Sequence, residues 1–182
     1  STTMLRPLLQ LDDYTVTHFT PCDRIRALTK RLGFVELNTQ TKLLFPLRWS
    51  NRSGSSAASL VFDEEEILAD LVGEERKIFL DHRPYRVGNL LIREGTKSCY
   101  ILFTHVVRYR INYCHIHFVG NKEMFAEHEM AIRNALMRRH RVRCVVVDCR
   151  LVEKIKFPRS LNFWAPAHAV YKPSGDVKPC QV

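Results

Sequence analysis

Residues 14–45 constrain this chain more than any other stretch. Tyr14-Thr15-Val16-Thr17-His18-Phe19 alternates and is rich in β-branched and aromatic residues, the composition of a strand. Thr20-Pro21 closes it, because proline holds the preceding residue away from helical angles. Asp23 then opens a short helix in which Ile25, Leu28 and Leu32 recur at spacings of three and four, one apolar stripe. Lys30-Arg31 suits the negative end of the helix dipole. Gly33 supplies the left-handed residue that stops the helix, and Phe34 folds back toward Leu28 or Leu32. Residues 35–45 form a second extended run. The whole is a strand–helix–strand unit.

The 182 residues allow one domain or two small ones. A chain that is 46% hydrophobic and 26% charged has enough apolar material for a real core. No apolar run approaches the roughly 20 residues needed to span a bilayer. The opening Ser1-Thr2-Thr3-Met4-Leu5-Arg6-Pro7 lacks the layout of a secretory signal. None of the six cysteines forms a Cys-x-x-Cys pair. Free thiols in a reducing compartment, and a cytoplasmic location, are expected. The net charge of +9 is uneven: residues 101–160 hold 12 basic and 5 acidic side chains, residues 61–100 hold 6 and 9. A basic segment attracts nucleic acid, anionic cofactors or acidic lipids, and it equally forms solvated helix faces.

Residues 4–11 read as the end of a helix. The stretch 46–58, with Asn51-Arg52-Ser53-Gly54-Ser55-Ser56, is linker-like. Asp63, with Glu66 three residues on, has capping-box spacing for a helix that Gly73 is expected to end. Extended segments follow at 77–81, 89–92, 98–108 and 111–119, with a hairpin turn at Arg93-Glu94-Gly95-Thr96-Lys97. The period becomes helical over 121–140, where His128 reads as a core residue on the apolar face. Cys144-Val145-Val146-Val147 suggests a central strand buried on both faces. The proline-containing tail from Pro158 reads as irregular.

The stretch 22–34 resembles a motif of the GNAT N-acetyltransferase superfamily, N-x-x-A-x-x-L-Y-x-x-x-G-F. Leu28, Gly33 and Phe34 match it. Cys22 stands at the Asn position, Ile25 at Ala and Thr29 at Tyr, so the key polar positions are changed. Residues 89–150 repeat the family's order of strand, hairpin, strand, strand, helix and strand. The resemblance implies an α/β fold with a mixed, mainly antiparallel sheet flanked by helices, of the acyl-CoA N-acyltransferase type. It also implies the organisation of bacterial proteins with tandem GNAT-like halves: residues 1–47 as the C-terminal part of one domain, 48–60 as a linker and 61–182 as a second, degenerate domain. The first half would be truncated at its N-terminus.

By the same resemblance, acetyl-CoA or another acyl-CoA is the expected co-substrate, and an amine on a small molecule or peptide the acceptor. Cys22, Arg26 and Thr29 would line the cofactor side. Val119-Gly120-Asn121-Lys122 stands where the family binds pyrophosphate on backbone N–H groups at a helix N-terminus. It lacks the Q/R-x-x-G element, leaving Gly120, Asn121 and Lys122 as the candidate contacts. Thr29 cannot replace a phenol as general acid, its hydroxyl being far too weak an acid. His115 and His117 lie two apart on a strand and share a face, which by the resemblance makes them the candidate bases, and Asp148 ends a buried strand where the family places active-site groups. No metal set is evident.

Three readings remain open: acyl transfer, a catalytically inactive GNAT-like module with a structural or dimerising role, and a basic nucleic-acid-associated module. Homo-oligomerisation stays open, and no membrane partner is expected. The run Arg138-Arg139-His140-Arg141-Val142-Arg143 lacks interleaved aromatics and reads as a solvated helix end rather than a nucleic-acid contact.

Overall fold

In a computed structural model of the chain, residues 16–20, 23–36, 40–46, 58–108, 110–153, 155–164 and 168–172 are described. They fall into two compact units, Ser1–Gln40 with Trp164–Val182, and Thr41–Phe163.

The first unit contains β1 (Val16–Thr20), α1 (Asp23–Arg31), β2 (Val35–Glu36) and β10 (His168–Lys172). Its sheet runs β1-β10-β2, with both pairings antiparallel. Gly33 has φ 84°, and Phe34 N–H donates to Thr29 O at 3.1 Å while Gly33 N–H donates to Lys30 O at 3.1 Å, a Schellman closure of α1. The buried stripe of α1 is shifted from the expected one. Ile25 is 40% exposed, Leu28 and Leu32 are half-buried, and Thr29 and Phe34 are buried. Thr29 tolerates burial because its hydroxyl donates to Ile25 O at 3.1 Å.

The second unit holds β3 (Gln40–Leu44, from Thr41 on), β4 (Ser59–Val61), α2 (Glu64–Asp70), α3 (Gly73–His82), β5 (Gly88–Glu94), β6 (Lys97–Arg108), β7 (Ile111–Val119), α4 (Lys122–His140), β8 (Cys144–Asp148) and β9 (Ser160–Trp164). Its seven strands run β4-β5-β6-β7-β8-β3-β9. The pairings β4–β5, β5–β6, β6–β7 and β3–β8 are antiparallel, and β7–β8 is parallel. Alternation along β5 and β6 explains why both strands are buried on both faces. Leu90, Ile92, Cys99, Ile101 and Phe103 join α4 residues such as Phe125 and Ile132 in one core. Leu91, Tyr100 and Leu102 join Ile67, Leu71 and Phe79 of α2 and α3 in the other.

Several expectations change. Residues 77–81 are helical, not extended, and Gly73 opens α3 with φ 56° rather than ending α2. Glu75, Ile78, Phe79 and His82 form the inner side of α3 at helical spacing, in a window too short for the period to stand out. Asp63 does cap α2, accepting from Glu65 N–H and Glu66 N–H at 3.1 and 2.9 Å. The Glu66 side chain pairs with Arg93. The tail contains two strands. The compact units meet along the chain at Gln40–Thr41 and Phe163–Trp164, with β3 hydrogen-bonded into the seven-stranded sheet and β10 into the three-stranded one. Residues 47–57 and 4–11 lie outside the described residues.

The order β1–α1–β2–β3 is repeated as β8–turns–β9–β10, with the third strands exchanged. β10 lies between β1 and β2, and β3 lies between β8 and β9. Arg133 of α4 holds the second arrangement. It is 1% exposed, forms an ion pair with Glu129, and donates to Phe45 O at 2.7 Å and Pro158 O at 3.0 Å. It thereby ties the end of β3 to the approach to β9.

Candidate functional site

The parallel pairing of β7 with β8 runs from Tyr113↔Cys144 to Ile116↔Val147 and stops there. β7 continues for three more residues, so the two strands part at His117. The same place carries a bulge against β6. Leu102 faces Phe118 and Phe103 faces Ile116, which leaves His117 as the extra residue. The bulge keeps His115 and His117 together, with ring centroids 4.3 Å apart, and His117 Nε2 lies 2.8 Å from Thr104 Oγ1.

Burial, and secondarily the neighbouring His117, push the His115 pKa down to about 4, against a smaller pull from Asp148. The His117 pKa is lowered by the packing around its ring and by His82, with Asp148 again opposing. Both imidazoles are therefore held toward the neutral form. Asp148, the third residue of the expected set, is committed elsewhere. It accepts from Arg150 Nη2 at 2.7 Å, Arg150 Nε at 3.1 Å and the Arg150 backbone N–H at 2.8 Å. The two histidines are thus brought together as anticipated, while Asp148 acts as the partner of Arg150.

At the far end of β7, Asn121 caps α4 by accepting from Met124 N–H at 2.9 Å. Gly120 N–H is already used, donating to Tyr100 O at 2.8 Å. A Cβ on Gly120 would meet Glu75 Oε1 at 1.7 Å, so a carboxylate of α3 rests directly against this turn. Burial raises the Glu75 pKa. Lys122 Nζ points to Arg150 O at 3.4 Å, and Glu123 adds a further acid to the first turn. A diphosphate needs converging free N–H groups and positive charge. This turn presents an occupied N–H, an occupied cap and a carboxylate, and it does not fit the pyrophosphate of a coenzyme A.

On the other side of the expected site, Thr29 is buried and bonded within α1. Cys22 and the Arg26 side chain lie outside the described residues. Among the described cysteines, Cys99, Cys114 and Cys144 are buried and free, and Cys149 is half-buried and free. Burial pushes Cys99 up to about 11 and Cys114 up to about 12, so neither is a thiolate nucleophile near neutral pH.

The basic run ends α4. Arg138 donates to Asn134 O at 3.3 Å, Arg139 stacks over the Phe62 ring at 4.5 Å, and Arg141 is the left-handed C-cap with φ 52°. Cations at this end of a helix oppose its negative pole.

Thr104, Arg150 and Glu75 were not singled out from sequence. Arg150 carried a local signal, being two residues from Asp148. Thr104 and Glu75 carried none, since each meets its partner only through folding.

No protein-family model matches this sequence, and no curated protein matches it. Among solved structures it is similar to a GCN5-related N-acetyltransferase from Anabaena variabilis ATCC 29413, with a TM-score of 0.52 and 10% sequence identity. The match covers 93% of this chain and 48% of that one, so the chain spans about half the length of its structural relative. Among the described residues, no helix is long and apolar enough to cross a membrane. The chain has a mixed α/β fold, with a mainly antiparallel seven-stranded sheet flanked by helices, of the acyl-CoA N-acyltransferase type.

Proposed function

We propose that this chain is a supporting part of a GNAT-type N-acyltransferase. The larger protein would move an acyl group from acyl-CoA to an amine on a small molecule or peptide, and the seven-stranded unit would be its non-catalytic half. The observation that carries this reading is the turn at Gly120, where a coenzyme A phosphate would meet the Glu75 carboxylate instead of free N–H groups.

The histidine pair agrees with it. A general base works best with a pKa near the operating pH. His115, at about 4, is too weak a base to take a proton from an ammonium group efficiently. Asp148 is occupied by Arg150. The structural role of the unit rests on the exchanged strands, because β3 fills one sheet and β10 the other.

Calorimetry of this chain with acetyl-CoA tests the reading. No saturable heat is expected. Stoichiometric binding that is abolished by Asn121→Asp or Lys122→Glu would place a working cofactor site at this turn and sink the proposal.

A further inference from the structure

We propose that Glu94, Glu127 and His128 form a binding site for a borderline divalent cation of the zinc class, on the flank of α4. This inference is independent of the acyltransferase reading and uses none of its residues.

Glu94 is the last residue of β5, just before the Gly95-Thr96 turn, and Glu127 and His128 are consecutive in the second turn of α4. One ligand atom from each lies within 4.8 Å of the other two. His128 Nε2 is 3.0 Å from Glu94 Oε2. A tetrahedral zinc-like ion about 2.0–2.2 Å from each nitrogen and oxygen donor sets donors roughly 3.4 Å apart. The His128–Glu94 pair is close to that separation at 3.0 Å, so an ion can replace their shared proton with only a small opening of the pair.

The charge balance points the same way. The chain carries a net +9, yet among the described residues neither Glu94 nor Glu127 pairs with a lysine or arginine. Arg93, next to Glu94, is directed instead at Glu66 and Asp70. Two carboxylates brought close together repel, and a divalent ion offsets that repulsion while leaving a neutral imidazole as its third ligand. Burial differs across the set. His128 is 5% exposed, Glu94 is half-buried and Glu127 faces solvent. One side of the ion is therefore held by the protein and the other is open to water, which would complete its coordination. Bound there, the ion would fasten the end of the β5–β6 hairpin to α4.

The test uses the full chain, stripped with a chelator and titrated with zinc while melting temperature is followed. Cobalt(II) is titrated in parallel and read by its visible d–d absorption. One equivalent should bind and raise the melting temperature. Glu127→Gln alters an exposed side chain, and circular dichroism checks that the variant remains folded. It should weaken binding of both metals by at least the roughly 10–100-fold seen when even an outer-shell partner is lost. The double variant His115→Ala/His117→Ala should bind as the parent does. No metal-dependent shift in the parent would overturn the proposal. A cobalt signal unchanged in Glu127→Gln, or lost in the double histidine variant, would overturn it as well.

Discussion

The segment β1–α1–β2–β3 and the segment β8–β9–β10 place their strands in the same order but join the first two differently. In the former, the nine-residue α1 makes the connection, and it buries Thr29 and half-buries Leu28 and Leu32. In the latter, residues 149–157 make it mostly with turns, and Val152 and Phe157 go into the core beneath α4. Phe157 meets the Phe125 ring edge-on at 6.0 Å, and Arg133 reaches the Pro158 carbonyl beside it. The strand order does not depend on a connecting helix. What both connections supply is apolar cover for the sheet, and a helix and a set of turns deliver it with different amounts of burial.

Cutting the chain is the strongest way to test the exchanged strands. A protease site placed at Ser53-Gly54 separates β3 from everything after it, yet each fragment keeps a strand in a sheet that the other fragment completes. The two fragments should co-elute on gel filtration without denaturant. Fragments that come apart at once would mean that the exchange contributes little.

Next in size is Arg133→Ala, which leaves Glu129 buried without its partner and frees the Phe45 and Pro158 carbonyls. Breaking a buried pair this way costs about 3–5 kcal/mol, measurable as a lower urea midpoint. A loss below about 1 kcal/mol would show that the turn connection holds without it.

Phe157→Ala and Leu32→Ala compare the two connections directly. The first removes a buried aromatic and should cost about 3–5 kcal/mol, the second a half-buried leucine and about 2 kcal/mol or less. Equal losses would mean that the helix covers its sheet as fully as the turns do.

Acid should act on the seven-stranded unit through His115. Its folded pKa, near 4, lies below the ordinary 6.5. Its stabilising contribution is present above pH 6.5, declines as the pH falls and is lost by about pH 4. At the full shift it is on the order of 3 kcal/mol. His115→Gln should flatten that part of the stability–pH curve. An unchanged slope would relocate the effect to other groups.

Two glycines mark close approaches of the backbone to a side chain. A Cβ at Gly88 would strike the Phe103 ring at 2.3 Å, and one at Gly120 would strike the mobile end of Glu75. Gly88→Ala should cost about 1–3 kcal/mol by overpacking, and Gly120→Ala less, because Glu75 can turn away. Glu75→Ala should remove the penalty at Gly120 and leave that at Gly88. If it does not, Glu75 does not close the turn.

Local patterns were legible where they were long or had strong punctuation. The strand at 111–119 and the helix beginning after Asn121 appear where alternation and period placed them. The hairpin turn expected at 93–97 is present, and it closes on two residues, Gly95-Thr96, with Gly95 at φ 58°. Residues 77–81 were misread because ten residues of helix between turns hold too few repeats of the pattern. At the candidate site, sequence placed His115 and His117 on one face, and the bulge keeps them there. It did not reveal that Asp148 would be held by Arg150 or that Glu75 would rest on Gly120, since the second depends on α3 packing over the turn before α4.

The sequence by itself determined the strand–helix–Gly-Phe unit, the central buried strand and the free buried thiols Cys99, Cys114 and Cys144. Each follows from periodicity, burial preference or a backbone conformation that only certain residues adopt easily. The tertiary structure alone decided which sheet β3 and β10 complete, and it decided the use of the turn at Gly120. Strand partners are chosen by hydrogen bonding between distant segments. The anion-binding capacity of a turn depends on whether its N–H groups are still free once the chain around it has packed. Neither quantity is a property of the residues in the turn or the strand itself.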